Sequence, residues 1–126
     1  MEARLALLLP LRVQVVRQVP MLQRCADLVA VMPGRLAGPW AIECKLTGWR
    51  RGIEQARRYL HAAPYALVAL PMPTGHSGAT RSGAVAACQE AGIGLVGVSL
   101  SRWHLLVTPQ YRLDKAVWIG IRAVAG

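Results

Sequence analysis

The stretch CADLVAVMPGRLAGPWAIECKLTGWRRGIEQARRY, residues 25 to 59, decides the fold of this chain. It contains two apolar segments joined by a Pro-Gly turn signal, followed by a segment whose apolar residues have helical spacing. Charged residues interrupt both apolar segments: Asp27 in the first, and Glu43 and Lys45 in the second. A carboxylate inside an apolar strand is costly unless a cation or a hydrogen-bond donor satisfies it. We therefore take these three residues as the main functional candidates.

The overall charge favours a polyanionic partner. The chain has 126 residues, with 15 Lys and Arg against 6 Asp and Glu, which gives a net charge of +9. Nucleic acid is the commonest polyanion that a basic protein meets, so DNA is the expected partner. Most of the basic residues are arginine, which suits bidentate contacts with phosphate but is also what a GC-rich genome encodes.

Length and composition predict one domain spanning residues 1–126. A chain of this size with 54% hydrophobic residues can bury a single core. No uncharged apolar run is long enough to span a membrane, and the apolar N-terminal segment is too short and too interrupted by Pro10 for a secretory signal. The expected location is therefore cytoplasmic. The 3 cysteines lack CxxC spacing and predict neither a disulfide framework nor a zinc site.

Hydrophobic periodicity and turn signals predict the element order βββαβαββ, a mixed central β-sheet flanked by helices. This is an α/β fold in which the first three strands are antiparallel neighbours. The expected strands are residues 11–19, 25–32, 40–46, 65–70, 93–98 and 103–107, and the expected helices are residues 2–9, 49–62 and 81–91. Residues 71–80 are expected to form a loop.

The strand period brings the candidate residues together. Side chains at i and i+2 of a strand point to one face, so Glu43 and Lys45 should project side by side. Asp27 lies on the hairpin partner strand and can face the same side. Two neighbouring carboxylates repel unless a cation lies between them, and hard oxygen ligands suit Mg²⁺ or Mn²⁺. Glu54, on the following helix, is expected to pair with an arginine one turn away instead.

The motif resembles that of the PD-(D/E)XK nuclease superfamily, also called restriction-endonuclease-like. The resemblance consists of Asp27, fifteen intervening residues and then Glu43-Cys44-Lys45 at the end of a strand before a basic helix. It covers residues 11–99 in strand order and implies a restriction-endonuclease-like core. Ala26 stands where many members carry proline.

A second part of the resemblance lies on the basic helix. Gln55 and Tyr59 reproduce the Gln-x-x-x-Tyr pattern of RecB-type exonucleases and some other branches. The resemblance implies that both residues position the phosphate backbone of DNA. It also implies phosphate contacts from the arginines of this helix, namely Arg50, Arg51, Arg57 and Arg58.

The resemblance implies metal-dependent hydrolysis of DNA phosphodiester bonds. Asp27, Glu43 and the backbone carbonyl of Cys44 would hold Mg²⁺ or Mn²⁺, and Lys45 would assist the attacking water. A fourth acid, from an N-terminal helix, could only be Glu2. The chain has little room for a separate specificity domain, so we expect either structure-selective or partner-directed cleavage, often by a homodimer.

One alternative to the nuclease interpretation remains open from sequence, and one motif match does not. The acids could form a structural ion pair with Lys45, in which case the domain would be a catalytically inactive nuclease-like module that binds DNA or a partner protein. A glycine pattern at residues 92–97 matches GxGxxG, but it falls within a predicted strand rather than after one. A dinucleotide site is therefore not expected there.

Overall fold

A computed structural model of the protein describes residues 3, 5–6, 9, 14–21, 24–71 and 78–111. Glu2, most of the expected loop at 71–80 and the residues after 111 lie outside the described residues. The strands are β1 Gln14–Met21, β2 Arg24–Met32, β3 Gly38–Cys44, β4 Tyr65–Pro71, β5 Gly94–Val98 and β6 Trp103–Val107, and the helices are α1 Trp49–Tyr59 and α2 Gly78–Ala91. The predicted order βββαβαββ is confirmed.

The strands form one six-stranded mixed sheet in the order β1-β2-β3-β4-β5-β6. The first three strands are antiparallel, β3, β4 and β5 are parallel, and β6 returns antiparallel to β5. The chain is thus a mixed α/β protein, as expected. Within the described ranges, neither helix has the length and apolar character that crossing a membrane requires.

The two faces of the sheet bury separate clusters of apolar side chains. On one face, α1 and α2 pack against the sheet with Ile53, Ala56 and Cys88. The opposite face is covered in part by Leu5 and Leu9. Because β4 lies between both layers, its sequence is apolar without alternation, as predicted for a strand buried on both sides.

Several element boundaries differ from the sequence prediction. Strand β1 does not end at Pro20 but continues through it to Met21. Proline cannot donate to a ladder, but β1 is an edge strand and tolerates it. Helix α1 ends at Tyr59 rather than at residue 62, because the N–H of Leu60 already bonds back to the carbonyls of Arg57 and Arg58.

Other boundary corrections bear on the site. Strand β3 ends at Cys44, so Lys45 lies just beyond it, and a 3₁₀ turn at Gly34–Leu36 replaces a simple hairpin connection between β2 and β3. Gly48 is the N-cap of α1 with φ +69°, a left-handed conformation that glycine adopts without strain. This turn directs α1 back over the sheet immediately after the Glu-x-Lys motif. Helix α2 begins at Gly78, three residues before the predicted start.

Gly94 is required where β5 passes β4. A Cβ at this position would lie 2.6 Å from Cδ2 of the fully buried Leu67 and 3.0 Å from Cδ of Pro109. We expect Gly94→Ala to lower the free energy of unfolding by about 1–3 kcal/mol, the usual cost of overpacking a core. Urea unfolding measures this loss. Gly83→Ala is the control, because its new methyl meets only the half-buried Trp49 ring at 3.2 Å. Equal stability of the two variants would contradict the prediction.

Candidate functional site

Asp27 and Glu43 lie on neighbouring antiparallel strands. Regular pairing of β2 with β3 ends at Leu28 and Ile42, and the next position along the same register places Asp27 opposite Glu43. At this point Oδ2 of Asp27 accepts a hydrogen bond from the backbone N–H of Cys44, at 2.9 Å. The Asp27 carboxylate therefore bridges the two strands where their backbone ladder stops.

Glu43 is the one charged side chain of the described ranges that is buried, with 7% of its surface exposed. It points to the face covered by α1, where its Oε1 accepts a hydrogen bond from the hydroxyl of Tyr59. Its Oε2 lies 3.9 Å from Nζ of Lys45. The cost of burying this carboxylate is thus offset by a donor from the helix and a cation from the end of its own strand.

Lys45 is held at both its backbone and its side chain. Its backbone N–H donates to the carbonyl of Ala69 in β4 at 3.0 Å, which extends the β3–β4 ladder by one residue. Its side chain is 24% exposed and passes beside Gly52 of α1. The predicted proximity of Glu43 and Lys45 is therefore present, although Lys45 lies outside the strand.

The backbone carbonyl of Cys44 is directed to the side of Asp27. The N–H of Cys44 points to β2, whereas the N–H of Lys45 points to β4. Since the N–H and C=O groups of one extended residue point to the same side, the Cys44 carbonyl also faces β2. The Asp27 carboxylate and the Cys44 carbonyl thus lie on the β2 side of β3, near its carboxyl end.

Gln55 contributes a further polar atom on the same side of α1 as Tyr59, one helical turn away. Its Oε1 is inaccessible to solvent and has no hydrogen-bond partner among the described residues. Leaving such an acceptor unsatisfied costs about 1–3 kcal/mol, and a bound water, ion or ligand donor usually removes that cost. The atom therefore marks a place beside Tyr59 where an additional hydrogen-bond donor would remove an energetic cost.

The four arginines of α1 are all exposed but do not lie together. With 100° per residue, Arg51 and Arg58 lie beside Gln55 on the side of the helix that leads to the acids. Arg50 and Arg57 lie on the other side. The predicted nucleic-acid contacts therefore divide into a pair next to the site and a pair away from it.

The pair away from the site lines a groove between α1 and α2, together with Glu54 and Glu90. Arg57 forms an exposed ion pair with Glu54 at 3.3 Å, so the predicted pairing of Glu54 with an arginine is confirmed. The guanidinium of Arg50 stacks over the ring of Trp49, 4.4 Å from its centre. These contacts make both arginines part of the helix surface rather than of the acid cluster.

One feature near the acids escaped sequence reasoning. Gln18 in β1 has φ +55°, a left-handed conformation that is uncommon for residues other than glycine. The register of β1 and β2 places it opposite Asp27, between the pairs Arg17–Leu28 and Val19–Ala26. The only sequence signal was the imperfect alternation of residues 11–19.

A cation at this place would rely on few protein ligands. No group of three or more His, Cys, Asp or Glu side chains suited to a metal ion occurs in the part of the chain that the structure describes. Mg²⁺ accepts such a set, since it is usually held by one or two carboxylates and keeps several waters or phosphate oxygens. The oxygens of Asp27, Glu43 and Cys44 are of the chemical type that Mg²⁺ and Mn²⁺ accept.

Cys88 is a free, buried cysteine of the core beneath α1 and α2. Burial raises the pKa of the Cys88 thiol to about 11, so this residue is neutral at physiological pH and is no nucleophile. Away from the acids, burial and the neighbouring Tyr111 raise the pKa of Tyr65, whose ring packs 5.2 Å from that of Tyr111. Tyr65 is therefore neutral at physiological pH, and its ring packs against that of Tyr111.

The fold and the site define a mixed α/β protein whose six-stranded sheet carries two acids and a lysine near the end of its third strand. No family model matches the chain, and no curated protein matches it by sequence. Among solved structures, the chain is similar to a protein of unknown function from Silicibacter pomeroyi, with a TM-score of 0.54 and 15% identity. That similarity covers 87% of this chain and 75% of the other, and it extends to the fold alone.

Proposed function

We propose that this protein is a metal-dependent deoxyribonuclease with a restriction-endonuclease-like core. The observation that carries the proposal is the grouping of Glu43 with Lys45, 3.9 Å apart, beside Asp27 on the adjacent strand. The surrounding order of hairpin, basic helix and buried strand, on which the resemblance to the PD-(D/E)XK superfamily depends, supports the same assignment.

The proposed metal ligands are the carboxylates of Asp27 and Glu43 and the carbonyl of Cys44. Their contacts hold them in place: Tyr59 binds one oxygen of Glu43, and the Cys44 amide binds one oxygen of Asp27. Oδ2 of Asp27 and Oε1 of Glu43 are thus fixed by protein donors, and Oε2 of Glu43 lies beside the ammonium of Lys45. When bound, Mg²⁺ or Mn²⁺ supplies polarisation of the scissile phosphate and acidification of a water.

Lys45 is the proposed partner of the attacking water. Its ammonium donates a hydrogen bond that orients the water, and its positive charge offsets the negative charge that develops on the phosphate oxygens. In the overall hydrolysis, water adds to phosphorus, one P–O ester bond breaks, and the leaving oxygen takes up a proton. The products are a phosphate monoester and a free hydroxyl group.

DNA binding follows from charge and from the side chains beside the acids. Gln55, Arg51 and Arg58 lie along the side of α1 next to the site, where they can contact the phosphate backbone. A net charge of +9 adds long-range attraction for DNA. Because phosphate contacts release counterions, this affinity should fall steeply as salt rises.

A nuclease assay tests the proposal directly. Purified protein is incubated with linear, supercoiled and branched DNA in Mg²⁺, in Mn²⁺ and in EDTA, beside the variant Asp27→Asn. We expect cleavage by the wild type that both EDTA and Asp27→Asn abolish. Cleavage that persists in EDTA, or that Asp27→Asn leaves intact, contradicts the proposed mechanism.

A second function, DNA binding without cleavage, is favoured by one observation. Asp27 and Glu43 each have a protein partner, so both acids are satisfied by the fold itself. In this alternative the protein binds DNA in the same assay and cleaves none of the substrates with either metal. Gel-shift titration of the same DNAs separates this outcome from a protein that does not bind DNA.

Gly52→Ala is expected to reduce cleavage with little loss of stability. The added Cβ would lie 2.8 Å from Cγ of Lys45, so the lysine must move, and a misplacement of about 1 Å can cost about 100-fold in rate. Alanine is about 1 kcal/mol better than glycine inside a helix, which offsets part of the strain. Single-turnover cleavage and urea unfolding measure the two effects. The matched helical control is Gly83→Ala in α2, and cleavage by Gly52→Ala at the control's rate would refute a positioning role for this contact.

A further inference from the structure

The pairing of β1 with β2 is distorted at one level of the sheet. Arg17 pairs with Leu28, and Val19 pairs with Ala26, so Gln18 and Asp27 face each other between two regular pairs. Gln18 has φ +55° at this point, whereas the strand continues on both sides of it. The distortion therefore coincides with the residue proposed to bind the metal.

The distortion changes which face the side chains occupy. Val19 is buried in the cluster beneath α1 and α2, and Val16, three positions earlier, packs against the same cluster. Ala26 and Val29 of β2 are likewise three apart and belong to that same cluster. A regular strand repeats its faces every two residues. In both strands the alternation of side chains between the two faces of the sheet is therefore interrupted once, at the level of Gln18 and Asp27.

This interruption accounts for the direction of Asp27. In a regular strand a side chain stands roughly perpendicular to the sheet. The Asp27 carboxylate instead reaches across to the backbone N–H of Cys44 in β3, at 2.9 Å. Because Asp27 lies at the level where alternation is lost, it is released from the ordinary strand geometry and can bridge to the neighbouring strand.

We infer that Gln18 is a positioning residue: its left-handed backbone turns the Asp27 carboxylate toward the amide of Cys44 and so prepares the metal site. The effect on metal binding rests on the function proposed above, but the effect on the Asp27–Cys44 hydrogen bond does not. The role is assigned to the backbone of Gln18, because the distortion lies in its φ of +55°.

A backbone role predicts a ranking of substitutions. Glycine and asparagine tolerate the left-handed region, alanine tolerates it less, and valine, being β-branched, opposes it most. The test compares Gln18→Gly, Gln18→Asn, Gln18→Ala and Gln18→Val. Arg17→Val serves as the control, because it adds the same side chain at the adjacent exposed position of β1, where the pairing is regular.

Two measurements are made on each variant. Hydrogen exchange of the Cys44 amide, followed by NMR, reports the hydrogen bond to Asp27 without any metal. Calorimetric titration with Mn²⁺ reports the metal site. We expect Gln18→Val to speed exchange of this amide about tenfold, and to weaken Mn²⁺ binding about 10- to 100-fold, the usual loss when a group that orients a ligand is removed.

The glycine and asparagine variants and Arg17→Val should match the wild type in both measurements. Fast exchange of the Cys44 amide together with weak Mn²⁺ binding in Gln18→Gly would overturn the inference, because it would assign the role to the glutamine side chain. Wild-type behaviour of Gln18→Val would overturn it as well. If Gln18→Val does not fold, Gln18→Ala takes its place. Faster exchange of the Cys44 amide in Gln18→Ala than in Gln18→Gly then supports the inference, and equal exchange overturns it. If the wild type binds no Mn²⁺, the proposed function fails, whereas the exchange of the Cys44 amide still tests the positioning role.

Discussion

Glu43→Gln is expected to abolish binding of Mn²⁺ and cleavage of DNA while the protein remains folded. Glutamine keeps the size of the side chain and an oxygen that can accept from Tyr59, but it removes the negative charge. Groups that merely orient a metal ligand contribute about 10- to 100-fold to affinity, so loss of a ligand charge should exceed about 100-fold. Calorimetry with Mn²⁺ and a cleavage assay measure the two losses.

The free energy of unfolding of Glu43→Gln is expected to be unchanged or higher, although its function is lost. Glu43 is 7% exposed, and burying a carboxylate is costly even when it is paired. In EDTA, urea unfolding should therefore show Glu43→Gln to be at least as stable as the wild type. Glu54→Gln is the matched control, because Glu54 is exposed and pairs only with Arg57 among the described contacts. If Glu43→Gln bound Mn²⁺ with wild-type affinity, Glu43 would not be a metal ligand.

Lys45→Met is expected to remove cleavage but to preserve metal binding. A positioned proton-transfer group contributes about 10²- to 10⁴-fold to rate, so cleavage should fall by that factor. Methionine retains most of the hydrocarbon chain that packs beside Gly52, which separates loss of charge from loss of packing. Single-turnover cleavage in Mg²⁺ and titration with Mn²⁺ measure the two properties.

Metal binding should not weaken in this variant, because the removed ammonium lies 3.9 Å from a Glu43 oxygen and repels a cation bound there. Arg35→Met is the control: Arg35 is an exposed cation in the 3₁₀ turn before β3 and is not part of the proposed site. Cleavage by Lys45→Met at the rate of the control would assign Lys45 a structural role. Unchanged cleavage together with lost Mn²⁺ binding would contradict the assigned roles of both Lys45 and the acids.

The order and type of the elements were predictable because the local signals agree with the sheet. Residues 65–70 form a continuous apolar run between prolines, and they form a central strand buried on both faces. The helix after Lys45 was predictable from the spacing of Trp49, Ile53 and Ala56, which pack in or against the core beneath α1 and α2. Its end was not, because the turn after Tyr59 depends on backbone hydrogen bonds that residue types do not specify.

The candidate site was predictable in part. The scarcity of acids made Asp27 and Glu43 conspicuous, and the i, i+2 spacing predicted that Lys45 would lie beside Glu43. The hydrogen bond from Tyr59 to Glu43 could not be predicted from sequence, since it requires the packing of α1 on β3. The separation of Arg51 and Arg58 from Arg50 and Arg57 likewise depends on which side of α1 faces the sheet.

The sequence by itself predicted a basic α/β domain with a mixed sheet, an acid on each of two adjacent strands and a lysine two residues after the second acid. It could do so because hydrophobic period, turn residues and charge are local properties. Only the tertiary structure decided that Asp27 turns to the Cys44 amide and that Gln18 takes a left-handed conformation opposite it. These features arise from pairing between strands, in which one lost step of alternation changes the face of every residue that follows.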